Sequence, residues 1–133
     1  MDANAVATNY PDEFGNRRLS LKQTVSLAAT GDVTTLVVQE ATKFIVRRIT
    51  LSNFSGTANA NVGVFTAASG GGTAIVSDAA LGANAVSGKF VDLTLATAAN
   101  ANVQTARVLY VNVSTGNVAQ TCDIALYGDI VAL

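Results

Sequence analysis

The sequence predicts an all-β fold: a sandwich of about eight strands preceded by an extended N-terminal arm. Three observations carry this expectation. From about Phe44 onward, Ala, Val, Thr, Asn, Gly and Ser fall into short runs that alternate apolar with polar residues, the period of half-buried strands. Clusters of Gly and Asn separate these runs as turns would. Helix signals are nearly absent: Ala98-Ala99-Asn100-Ala101 offers one turn but no apolar stripe to hold it against a core.

Residues 1–18 differ in kind from the rest of the chain. Small residues run to Thr8, and the next ten positions hold the single proline, Pro11, together with Tyr10, Phe14, Asp12, Glu13, Arg17 and Arg18. Pro11 drives Tyr10 toward extended geometry and Gly15-Asn16 invites a turn, so an irregular or extended arm is expected. A frayed terminus is the plain alternative. Tyr10 and Phe14 favour an arm that anchors on a neighbouring subunit, with Arg17 and Arg18 facing carboxylates.

The sandwich is expected over residues 19–133. Leu19, Leu21, Val25 and Leu27 alternate with Ser20, Lys22, Thr24 and Ser26, and Gly31-Asp32 turns the chain into a second strand, Val33 to Val38. Lys43 to Phe54 comes next as the longest β-prone run. Its period slips, because Phe44 and Val46 share one parity and Ile49 and Leu51 the other; a bulge near Arg47-Arg48 would bring both pairs to the core. Val62 to Thr66 and Thr73 to Ser77 form a hairpin across a Gly-rich loop. Lys89 to Leu95 presents Val91, Leu93 and Leu95 on one face. Ala96 to Asn102 is too small and polar for the core and should cross one end of the sandwich. Ala106 to Val113 and Thr121 to Val131 complete the set, presenting Leu109, Val111 and Val113, then Cys122, Ile124, Leu126 and Ile130. Eight strands suit a jelly roll or another Greek-key sandwich, and the immunoglobulin hallmark of a Trp beside a disulfide is missing, which favours the jelly roll.

Composition bounds the function. The 133 residues form one domain, large enough to need no covalent staple, and the lone Cys122 has no partner for an internal disulfide. Only 13% of residues are charged, against about 25% in an ordinary soluble domain, while 50% are hydrophobic. A free monomer keeps its surface charged, whereas a subunit packed against neighbours covers apolar and small polar surface instead, so an assembly subunit is expected. With a net charge of -1 there is no reason to expect a nucleic-acid partner. No leader or membrane span is expected: Met1-Asp2-Ala3-Asn4 lacks a positive n-region, and the uncharged stretch Ile49 to Ser77 is broken by Gly, Asn and Ser. Synthesis in the cytoplasm is the matching expectation. The chain has no His and no Trp. Without His or clustered Cys and carboxylates, general-base, covalent and metal chemistry are poorly supplied, so neither enzyme activity nor a cofactor or metal is expected.

Individual residues answer to the same physical tests. Gly70-Gly71-Gly72 lacks the Lys and the following helix of a phosphate loop and reads as a hairpin tip, flexible enough to fit a neighbour's surface. Asp78, Asp92, Asp123 and Asp129 lack calcium-loop spacing, Asp123 and Asp129 being about 20 Å apart along a strand, and read as solvated strand-edge charges. The sequons at Asn53 and Asn112 lie in or beside strands and carry no weight. Cys122 alternates with Ile124 on the inward face as a packing residue. The basic residues Arg17, Arg18, Lys22, Lys43, Arg47 and Arg48 have acidic residues interspersed among them, which suits a salt-bridging surface toward a partner. Tyr10, Pro11, Phe14, Arg17, Arg18, Arg47 and Arg48 are therefore the candidate partner-binding residues; catalytic, cofactor and metal residues are not assigned.

The stretch Lys43-Phe44-Ile45-Val46-Arg47-Arg48-Ile49-Thr50-Leu51-Ser52-Asn53, then Asn61 to Thr66 and Gly71 to Ile75, resembles the sandwiches of tailed-bacteriophage capsid cement or decoration proteins. Arg107 to Val113 and Asp123 to Gly128 are similar in the same way, and the resemblance spans Leu19 to Leu133. It implies a jelly-roll subunit, commonly trimeric, on the outer surface of an icosahedral head, where it clamps neighbouring major capsid proteins. Its partners would be the major capsid protein and further copies of itself, and its place the virion. Family members often fasten themselves by a terminal arm, which Met1 to Arg18 matches in position and character. The alternative is a receptor- or carbohydrate-binding module of a phage fibre or tail, for which Tyr10, Tyr110 and Tyr127 are the available stacking residues.

Overall fold

Alternating Val, Ile, Leu and Thr residues form strands because branched side chains pack well on a pleated surface with one face buried. The computed structural model describes residues 17–116 and 119–133. Tyr10, Pro11, Phe14 and the rest of 1–16 lie outside the described residues. Eight strands occur in order: β1 Arg17–Ser26, β2 Gly31–Val37, β3 Lys43–Ser52, β4 Asn61–Ala67, β5 Gly71–Ala80, β6 Val91–Asp92, β7 Val108–Thr115 and β8 Thr121–Ala132. A 3-10 turn, Ala68–Gly70, joins β4 to β5, and a short helix, α1, covers Thr97–Ala101.

Two four-stranded antiparallel sheets result, ordered β1-β8-β3-β6 and β2-β7-β4-β5. The pairings nest: β1 with β8, β2 with β7, β3 with β6, β4 with β5. This is one long hairpin ribbon rolled up so that β3 also meets β8 and β4 also meets β7. Such an order is a jelly roll, as the sequence suggests.

The core lies between the sheets. Phe44, Val46, Ile49 and Leu51 of β3 and Cys122, Ile124 and Leu126 of β8 face Leu36, Val62, Val64, Leu109, Val111 and Val113 of the other sheet, all buried. The expected bulge is present. Register passes from Val46 opposite Gly128 to Arg48 opposite Tyr127, leaving Arg47 as the extra residue and both apolar pairs inside.

Three local differences have physical causes. β1 begins at Arg17, with Arg17 opposite Gly128 and Arg18 opposite Tyr127, so the last two residues of the expected arm belong to the sheet. Backbone pairing with β8 does not depend on the polarity of side chains that can reach water. The run Lys89 to Leu95 yields only the two residues of β6, because Leu93 N–H donates to Ile49 of β3 and Ala96 N–H to Ile75 of β5, each at 2.9 Å. The chain is crossing between sheets there and cannot keep one ladder. Ala99, in the segment expected to stay outside the core, is fully buried: α1 turns this small side chain into the gap beside β3 and β5.

Candidate functional site

Parity decides which side chains leave the core. With Cys122, Ile124 and Leu126 inside, β8 turns Asp123, Ala125, Tyr127 and Asp129 outward; with Ile49 and Leu51 inside, β3 turns out Arg48 and Thr50. Register then sets Arg18, Tyr127 and Arg48 side by side across β1, β8 and β3. On β6, Asp92 stands opposite Thr50 on the same outward face, and Phe90 shares its parity.

These residues make a row. The Arg48 guanidinium carbon lies 5.8 Å from the Phe90 ring centroid and 5.9 Å from that of Tyr127, so the cation is held between two rings. Its Nε donates to Asp92 Oδ1 at 2.8 Å, and Thr50 Oγ1 donates to the same oxygen at 2.6 Å. Partial burial pushes the Asp92 carboxyl up, but the Arg48 and Thr50 hydrogen bonds and the Arg48 charge together hold it below the usual carboxylate range.

Toward the other end of the face, Arg47 Nε donates to the buried Asp129 carboxylate at 2.8 Å. Beyond that pair lies apolar surface. Gln104 exchanges both backbone hydrogen bonds with Phe44 and is buried with it, which leaves Val103 outward beside Ile45; Val131 follows the partly buried Ile130 and also turns out. Phe90 is 54% exposed, Val103 48% and Val131 50%. Apart from the final residue, Leu133, these are the large apolar side chains left exposed among the described residues, and all three belong to one sheet face.

The opposite sheet is different. Strands β2, β4, β5 and β7 carry Asp32 and Asp78 but neither Lys nor Arg, whereas β1, β3, β6 and β8 carry six basic residues against three acidic ones. The aromatic residue Phe65 lies over Gly63, where a Cβ would come within 2.7 Å of its ring, and Tyr110 pairs across from Phe65. Tyr110 and Tyr127 therefore sit on opposite outward faces and do not form the tyrosine pair that a sugar platform on this domain would use.

The structure sorts the candidates read from sequence. Arg17 pairs with Glu40, Arg47 with Asp129 and Arg48 with Asp92, so the salt bridges that suggested a partner are made within the chain. The Arg18 side chain is exposed and has no hydrogen-bond or ion-pair partner among the described residues. Asp78 and Asp92 are exposed on the edge strands β5 and β6, as expected, and also tie the fold, whereas Asp123 and the buried Asp129 lie on the inner strand β8. Asp123 accepts from Thr24 N–H at 2.9 Å and Asn53 Nδ2 at 3.2 Å, holding two left-handed turns in place, and Asp78 accepts from Ser114 Oγ at 2.7 Å. Asp32 accepts from Asn112 Nδ2 at 2.9 Å and from Ser69 N–H at 2.8 Å; both bonds lower its pKa and pin the Gly-rich hairpin tip that looks free in the sequence. Burial, reinforced by the Asp123 charge, pushes the Cys122 thiol up to about 12. Among the described residues no group of three or more His, Cys, Asp or Glu gathers where a metal could sit, and no helix is long and apolar enough to cross a membrane.

Sequence inspection missed Phe90, Val103 and Val131, and singled out Tyr127 only as a stacking residue for the sugar-binding alternative. For Phe90 and Val131 a signal existed, since each has the parity opposite to its inward neighbours Val91 and Ile130. Phe90 also lines an open depression of about 650 Å³, formed by residues 81–84 and 88–92 and including Asn84, Lys89 and Asp92. No protein-family model, curated protein or solved structure matches this chain.

Proposed function

We propose that this protein is a structural virion component, a cement or decoration subunit that binds the outer surface of an icosahedral capsid and bridges neighbouring major capsid proteins. The observation that carries this reading is the gathering of Phe90, Val103 and Val131 with Arg18, Arg47 and Arg48 on one face of the sandwich. Aromatic and arginine side chains dominate the energetics of protein interfaces, and a jelly roll offers them a flat, rigid platform. The low charge content is what a subunit covered by neighbours tolerates.

The work done by such a protein is contact area. Full burial of an apolar side chain of this size contributes about 1.5–3 kcal/mol, and Phe90, Val103 and Val131 have roughly half of that still to gain. Attachment at several symmetry-related positions, as a homotrimer would provide, turns such modest increments into avidity.

Co-sedimentation of the purified chain with undecorated heads tests the proposal. Wild type should pellet with the heads and raise their disruption temperature, and a Phe90→Ser, Val103→Ser, Val131→Ser variant should stay in the supernatant while keeping its folded spectrum. Equal retention of that variant would move the docking face elsewhere, and wild type that never pellets would overturn the capsid reading.

A further inference from the structure

We infer that the row Arg18, Tyr127, Arg48, Phe90 is a receptor for carboxylate side chains on the surface of a partner protein. The inference rests on the capsid reading for the partner's identity, but its chemistry is that of the row itself. Arg48 spends only Nε on Asp92, and its side chain remains 49% exposed, so the remaining N–H groups of its planar fork can receive a bidentate carboxylate. The flanking rings of Phe90 and Tyr127 hold that fork at fixed orientation, which lowers the entropy cost of binding. Arg18 stands on the other side of Tyr127, its side chain exposed and without an ion-pair partner among the described residues. Two strand spacings, about 9.6 Å, separate Arg18 from Arg48, a span that fits two acidic side chains with an aromatic or proline residue over Tyr127 between them.

Charge complementarity chooses the occupant. Strands of this sheet carry six basic and three acidic residues, while the charged residues on strands of the opposite sheet are acidic alone. A phosphate backbone suits the row less well, since Asp92 and Asp129 interrupt the positive field and the exposed Phe90, Val103 and Val131 call for an apolar surface around the acidic groups.

The test uses the full-length chain labelled with 15N and three probes: a dodecapeptide of alternating glutamate and tyrosine, its glutamine counterpart, and a 12-base-pair DNA duplex. The glutamate peptide should move the Arg18 and Arg48 Nε–H signals and the Tyr127 amide, and bind at least fivefold more tightly than the glutamine peptide. Arg18→Gln, an exposed change that leaves the fold alone, and Arg48→Gln should each weaken it threefold or more; Asp32→Asn on the opposite sheet should not. Equal affinity for both peptides, shifts confined to the other sheet, full affinity in Arg18→Gln, or tighter binding of the duplex would each overturn the inference. The assay contains no particle, so its failure removes this receptor role alone, and failure of co-sedimentation removes the capsid reading alone.

Discussion

Gly128 lies in β8 between the outward Tyr127 and Asp129, buried opposite Val46, and replacing it with Ala should damage the fold more than the exchange of a single hydrogen for a methyl suggests. A Cβ built there would stand 1.9 Å from the Ile45 carbonyl oxygen, 3.0 Å from its carbon and 3.2 Å from Leu19 Cδ1. Ordinary contact between carbon and oxygen needs about 3.3 Å, so the strands must part by more than about 1 Å. The obstacle is backbone, which cannot rotate away as a side chain can. β8 is held on both sides, by β1 and β3, so the shift also disturbs the pairings of Arg17 and Val46 with Gly128. Overpacking by one carbon in a well-packed site typically costs about 1–3 kcal/mol, and with a rigid obstacle Gly128→Ala should reach at least about 3 kcal/mol. Urea unfolding followed by far-UV circular dichroism measures this, with an unchanged slope and a lower midpoint expected. Gly82→Ala is the control: its φ of +85° disfavours a side chain, but the space around it is open, so a loss of about 1 kcal/mol is expected. A Gly128→Ala protein within about 1 kcal/mol of wild type would refute the argument that close approach of β3 requires this glycine.

Three further outcomes are expected. Arg47→Ala removes the charge-assisted bond to the buried Asp129 carboxylate and should destabilise the protein by about 2 kcal/mol in the same unfolding assay, whereas Arg18→Ala should be neutral. Asp32 and Asp92 have depressed folded pKa values, so the stability they add is fully present above the unfolded value of about 3.9 and is lost as pH falls through the folded ones; urea midpoints should drop below about pH 4, and less steeply in Asp32→Asn and Asp92→Asn. Cys122, buried and with its thiol pushed up to about 12, should resist a thiol reagent at about pH 8 in the native protein and react fully in urea; rapid native labelling would contradict its packing role.

Local pattern sufficed where one physical constraint acts on neighbouring residues. The two-residue period of Cys122, Ile124 and Leu126 marks an inward face whatever strand lies opposite, and the parity slip between Val46 and Ile49 demands a bulge because four apolar side chains cannot otherwise share one core. The all-β class and the strand segments came from such constraints, whereas the jelly-roll expectation rested on the number of strands and the missing immunoglobulin hallmark, and the strand order itself is set by pairing between distant strands. The candidate face did not come from local pattern either. Arg18 and Arg48 gain their relation to Tyr127 only through the register of β8 between β1 and β3, and Phe90 reaches Arg48 only because the chain folds back beside Thr50. The same distances in sequence hid the partners of the carboxylates: Arg47 finds Asp129 across 82 residues and Asn112 finds Asp32 across 80. Periodicity is a property of one strand and can be read along the chain. Which charges neutralise each other, and which side chains stay exposed together, depends on pairing between strands far apart in sequence, and the tertiary structure alone decides that.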